Sequence, residues 1–231
     1  MTKNFSLFEE KAGVSFSNKQ LLQNAFTHRS YVNEHRGMLE HNERLEFLGD
    51  AVLELVVTDY LYNKYQNKTE GELTLYRASL VNAQTLAKIA HEIGVDDFLL
   101  LSKGEAKDTT GRARDNILAN TMEAIIGALY LDGGYDNAKK FVLENVSPLI
   151  DKIVENGTWM DAKSKFQEKS QEIVSITPLY KTLKEVGPDH DKEFTVGVFL
   201  GNEEIAQGTG NSKQDAEQDA AEKALVAKNW I

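Results

Sequence analysis

The hydrophobic period of this chain changes once, and that change limits the fold more than any other feature. Up to about residue 150, apolar residues recur every three or four positions in KQLLQNAFTH, NERLEFLGDAVLELVVTDYLYNKY, GELTLYRASLVNAQTLAKIAHEIG, RDNILANTMEAIIGALYLDGG and NAKKFVLENVSPLIDKIV. Each of these stretches predicts an amphipathic helix. Gly94, Gly133 and Gly134 fall where helices end, Pro148 marks a kink, and LSKGEAKDTTGRARD reads as a loop. Beyond ENGTWMD (155–161) the pattern alternates. PLYKTLKEVG, KEFTVGVFL and EEIAQGTG alternate and carry β-branched or aromatic residues, as three strands would, with a tight turn at Gly201-Asn202. A helix, DAKSKFQEKSQEI, precedes them, and another, SKQDAEQDAAEKALVAK, follows with Ser212 as its N-cap. The expectation is an all-α domain over 1–154, a linker over 155–160, and a small α-β-β-β-α domain over 161–231.

Within the helical part, HNERLEFLGDAVLELVV gathers acids on one face. At about 100° per residue, Glu43, Glu46, Asp50 and Glu54 fall within an arc of about 80°, while Leu45, Leu48, Gly49, Val52, Leu55 and Val56 take the opposite side. Phe47 sits beside the acids, away from the predicted core. Two readings stand: a solvated acidic face, or oxygen donors for a hard divalent cation such as Mg²⁺. The absence of interleaved basic residues at helical spacing favours the second. A matching pair, Asn120 and Glu123, lies in the otherwise apolar ILANTMEAIIGAL. A carboxylate there needs a partner: either Asn120 hydrogen-bonds it, or a metal shared with the first acidic face satisfies both. Gly127, one turn on, would let another backbone or a ligand come close.

Composition narrows the chemistry. The chain has no cysteine, so disulfides, thiolate metal sites and cysteine nucleophiles are excluded. Hydrophobic residues make up 41 %, enough for a real core, and no apolar run approaches membrane-spanning length, so a cytoplasmic protein without a membrane partner is expected. The net charge of −10 weighs mildly against a polyanionic partner but leaves room for a local basic face. Lys107, Arg112 and Arg114, in the predicted loop, are the candidate phosphate contacts of the first domain; a solvated basic loop is the alternative.

These motifs, in this order, resemble bacterial ribonuclease III, the double-stranded-RNA endonuclease. HNERLEFLGDAVL resembles its signature, with FTHRSYVNEH before it, TEGELTLYRASLV after it and ILANTMEAIIGALYLD as the second catalytic stretch. KSKFQE, GPDHDKEF and GTGNSKQDAEQDAAEKAL resemble a double-stranded-RNA-binding domain. The resemblance spans nearly the whole chain. It implies an all-α endonuclease domain joined to an α+β RNA-binding domain, acting as a homodimer on double-stranded RNA with Mg²⁺, which Mn²⁺ can replace. Each subunit would cut one strand, leaving 5′-phosphate and 3′-hydroxyl ends with short 3′ overhangs, in the processing of ribosomal and messenger RNA. By position, Glu46, Asp50, Asn120 and Glu123 would hold metal, Asp50, Glu123 and Glu43 would be catalytic, and Glu70 would line the cleavage valley. Phe47 would insert into the partner subunit. Gln167 and Glu168 would face one minor groove, His190 the other, and Lys213 would meet phosphate at a helix N-terminus. One position departs: the family most often has Asp where this chain has Asn120, a neutral donor that holds the ion less strongly. The alternative is thus a protein that binds double-stranded RNA and cleaves it weakly or not at all.

Overall fold

The computed structural model describes residues 3–35, 40–155, 159–188 and 192–230. The chain forms two compact units, residues 1–159 and 160–231. The division falls inside the 155–160 stretch expected to be the linker, but Trp159 packs with the first unit. Among the described residues, no helix is long and apolar enough to cross a membrane.

The first unit is helical: α1 (Ser6–Ala12), α2 (Lys19–Ala25), α3 (Arg29–Glu34), α4 (Glu43–Lys64), α5 (Glu70–Val81), α6 (Ala83–Glu92), α7 (Arg112–Asn145) and α8 (Pro148–Glu155). Two departures from the expected pattern have local causes. The helix expected across 71–94 is broken at Asn82, whose backbone is extended (φ −72°, ψ 157°) and whose side chain caps α6 by accepting from the Thr85 N–H. Its upstream half starts with a reciprocal cap between Thr69 and Glu72. The expected loop over 101–115 is shorter, because α7 begins at Arg112, after a single 3-10 turn at Glu105–Lys107. Gly134 interrupts α7 with φ 78°, at one of the predicted helix ends. A new helix starts at Pro148, where its fixed φ suits a first turn.

The core of this unit lies between α4 and the first half of α7, which pack together more extensively than any other pair. Leu45, Val52, Leu53, Val56 and Leu61 meet Leu118, Met122, Ile125, Ile126 and Leu129, all essentially inaccessible to solvent. Phe8 and Phe26 of the N-terminal segment stack edge-on with centroids 4.8 Å apart and close one end.

The second unit runs α9 (Ala162–Val174), β1 (Leu179–Val186), β2 (Glu193–Leu200), β3 (Glu203–Gly210) and α10 (Lys213–Lys228). Its sheet is antiparallel in the order β1-β2-β3. Tyr180 stands opposite Val198, and Val198 opposite Ala206, so these three share the face that the helices cover. Ala216, Ala220 and Ala224 are fully buried, which lets α10 lie close to the sheet. Asp161 caps α9 through the Ser164 N–H, and Ser212 caps α10 through the Asp215 N–H.

Candidate active site

The site begins with a close helix crossing. A methyl group built on Gly49 would lie 1.8 Å from the Glu123 carbonyl oxygen, and one on Gly127 would lie 2.2 Å from the Leu45 carbonyl oxygen. The α4 and α7 backbones therefore touch, as only glycine on both sides allows. The backbone that Gly127 admits is that of α4. The crossing sets the acidic front of α4 beside the Asn120–Glu123 face of α7.

The electrostatics follow from that juxtaposition. Glu123 is partly buried, and its carboxyl is pushed up to about 7, first by burial and then by the charges of Asp50 and Glu46. Glu46 is raised for the same reasons: burial first, then Glu43, then Asp50. Carboxylates from two helices thus share one field. Among the described residues, no hydrogen bond or ion pair holds the side chains of Glu46, Asp50, Asn120 or Glu123. The Asn120–Glu123 hydrogen bond, one of the two sequence alternatives, does not form. Unpaired acids whose charges raise the pKa of Glu123 and of Glu46 are the donor chemistry that a hard divalent cation satisfies. No three acidic or imidazole groups among the described residues already close around a metal position. The open set suits an ion that keeps several waters, as Mg²⁺ does.

Glu43 differs from the other acids. Its carboxylate lies 3.3 Å from Arg29 Nη1 at the start of α3 and 3.8 Å from His41 Nδ1. Glu70, the first residue of α5, is exposed and accepts from Thr74 Oγ1 at 3.2 Å; the groups that perturb Glu123 do not include it.

The basic candidates separate. Lys107 and Arg112 are exposed. Arg114 is not available to phosphate: the residue is only 9 % exposed, and its Nε donates to Asp96 at 2.9 Å. It points inward because it stands in the first turn of α7 and not in a loop, so its guanidinium ties α7 to the turn that holds Asp96. In the second unit Gln167 and Glu168 are exposed on α9. Lys213, also exposed, lies 2.8 Å from Glu185 and over the Phe194 ring. His190 lies outside the described residues.

Two matches to known families meet this geometry. A ribonuclease-III-like family model covers residues 18–150, and a double-stranded RNA binding motif covers residues 162–226. This chain belongs to the ribonuclease III family. Curated proteins named Ribonuclease 3 agree along nearly the whole length. That of Bdellovibrio bacteriovorus is 46 % identical over 95 % of this chain and 94 % of its own. That of Anoxybacillus flavithermus is 48 % identical over 96 % and 93 %. Among solved structures, the nuclease domain of ribonuclease III from Campylobacter jejuni superposes with a TM-score of 0.57 at 41 % identity, covering 63 % of this chain and 97 % of that one.

As a ribonuclease III family member, the chain carries one further feature of the nuclease unit that the acidic pattern alone did not announce. Phe47, 82 % exposed, lines a cavity of about 600 Å³ with Leu21, Leu45, Leu48 and Leu131. Leu55, assigned to the buried side by its helical angle, is 57 % exposed, and Leu131 is 53 % exposed. The correction has a simple cause: Leu55 falls at the edge of the apolar arc, where α7 no longer covers α4. Leu131 went unnoticed because it continues the apolar run of α7 without a break. Its only signal is Asp132 next to it, which accepts from the Ser17 and Asn18 N–H groups.

Proposed function

We propose that this chain hydrolyses double-stranded RNA endonucleolytically, with Mg²⁺ and as a homodimer. The observation that carries the reading is the set of unpaired, mutually repelling carboxylates at the Gly49–Gly127 crossing, in a chain that also holds a double-stranded-RNA-binding unit. A polyanion cannot approach that acidic front unaided, so a cation has to come with it.

Glu46, Asp50 and Glu123 would hold the ion, and the amide oxygen of Asn120 adds a neutral donor. When bound, the ion would neutralise the scissile phosphate, acidify the attacking water and stabilise the departing 3′-oxygen. Asp50 and Glu123, facing the same field from two helices, orient that water. The water oxygen bonds to phosphorus as the bond to the 3′-oxygen breaks; the water gives up a proton to solvent and the 3′-oxygen takes one up from it, which leaves a 5′-phosphate and a 3′-hydroxyl. Glu43, paired to Arg29, steadies the first turn of α4. The exposed Phe47 and its apolar cavity support an isologous contact between two copies. In the second unit, Gln167, Glu168 and Lys213 are the candidate contacts to RNA grooves and phosphates.

The test is purified chain with a long RNA duplex, with Mg²⁺ present or removed by EDTA. Cleavage only with Mg²⁺ supports the proposal; its absence in both conditions overturns it. Asn120 favours one second reading, a binder that cuts slowly because one donor is neutral. Asn120→Asp then raises the cleavage rate at limiting Mg²⁺ by about tenfold or more, since even outer-shell changes around a metal are worth that much, and an unchanged rate removes that reading.

A further inference from the structure

The composition of residues 155–160 reads as linker, yet Trp159 is a docked side chain. Its ring stands edge-on to Tyr76, with centroids 5.1 Å apart and planes at 78°. Tyr76 is 1 % exposed and meets Tyr65 in the same way, at 5.4 Å and 71°. The Tyr65 hydroxyl lies 3.2 Å from Asp151, whose carboxylate also takes the Lys64 ammonium. Trp159 is therefore the outermost ring of a three-ring ladder whose inner members are held by α4, α5 and α8. The helix that receives it, α5, is the one that Glu70 begins.

On the other side, Asp161 is already fixed as the N-cap of α9. Between the docked indole and the first capped residue of the RNA-binding unit lies Met160 alone.

We propose that Trp159 is a positioning residue: it pins the crossover to the nuclease unit and so shortens the tether between that unit and the RNA-binding unit. The proposal rests on the double-stranded-RNA reading above. A tether sets the effective concentration of the second binding event, which falls roughly as the three-halves power of its length once the span is met. With Trp159 docked, the tether is two residue steps, from 159 to 161. With Trp159 released, it is six, from the last residue of α8 to the N-cap of α9. That threefold lengthening predicts an about fivefold loss of effective concentration.

Two measurements decide it. The chain has two tryptophans, so Trp230→Phe leaves Trp159 as the only indole. Its emission should be blue-shifted and protected from acrylamide, with and without an RNA duplex; quenching like that of a free indole overturns the anchor. In steady-state cleavage of a duplex long enough to engage both units, Trp159→Ala should raise KM about fivefold with kcat unchanged, and Trp159→Phe should keep the parent KM. Inserting Gly-Ser-Gly-Ser between Met160 and Asp161 lengthens the tether while Trp159 stays docked. It should reproduce the rise in KM, which separates the tether from any effect on folding. An unchanged or lowered KM in the insertion variant overturns the proposal. If the parent chain itself does not cut the duplex, the functional reading falls, and the protection of the indole decides the anchor alone.

Discussion

At the scale of the residue, Glu123 concentrates the electrostatic cost of the site. Its carboxyl is held near 7 by burial and by two neighbouring acids. Removing the charge without changing the shape, as Glu123→Gln does, should lower Mg²⁺-dependent cleavage by a thousandfold or more, about 4 kcal/mol of lost transition-state stabilisation. Duplex binding, measured by gel shift in Ca²⁺ or EDTA, should stay within about twofold. The same raised pKa fixes a stability trend. Between about 4.5, the ordinary value, and about 7, the folded state binds more protons than the unfolded one. Stability therefore falls as pH rises through that window. The full shift would be worth ~3 kcal/mol, but the site is open to solvent, which screens it to about 1–2 kcal/mol. Metal-free protein should thus melt at a higher temperature at pH 5 than at pH 7.5 as far as this group is concerned. Glu123→Gln should remove that part of the slope, and a slope that survives the substitution assigns it elsewhere. The residue scale is also where sequence reading reached least far. Arg114 looked like a free cation because its partner, Asp96, is distant in sequence, and nothing local in GRARD shows an inward side chain.

At the scale of the element, two glycines decide whether the site exists. The Gly49 and Gly127 positions leave no room for a methyl group, and what stands in the way is backbone, which cannot rotate aside. Gly49→Ala should therefore cost about 3 kcal/mol or more, at the upper end for overpacking. Its denaturation midpoint and its cleavage activity should fall together, whereas Glu123→Gln loses activity without any fall in stability. Much of this level was legible in advance. The shift from a three-to-four-residue period to a two-residue period located α9, the three strands and α10, and Gly127 signalled the close approach. The elements that escaped notice, α1 and α3, have seven and six residues, too short for a period to repeat. The break at Asn82 was hidden because the apolar period continues through it, and only the side-chain cap reveals that the backbone turns.

At the scale of the whole molecule, the apolar surface around Phe47 has no partner among the described residues. Phe47, Leu55 and Leu131 are each more than half exposed, and large apolar side chains exposed together mark an interaction surface. Phe47→Ala should weaken self-association by about 2–4 kcal/mol, the scale of a central aromatic anchor, and shift the sedimenting species from dimer toward monomer at micromolar concentration. A variant that still sediments as a dimer, with unchanged dissociation constant, removes Phe47 from the seam. The placement of this aromatic has a further consequence. Phe47 directly follows Glu46 in the chain, so the contact proposed to join two copies and the acids proposed to serve the reaction sit on the same turn of the same helix. Assembly and chemistry then cannot be separated by dilution: the initial rate should grow as the square of protein concentration in dilute solution and linearly once pairs predominate, and the concentration at which the kinetic order changes measures the strength of the seam.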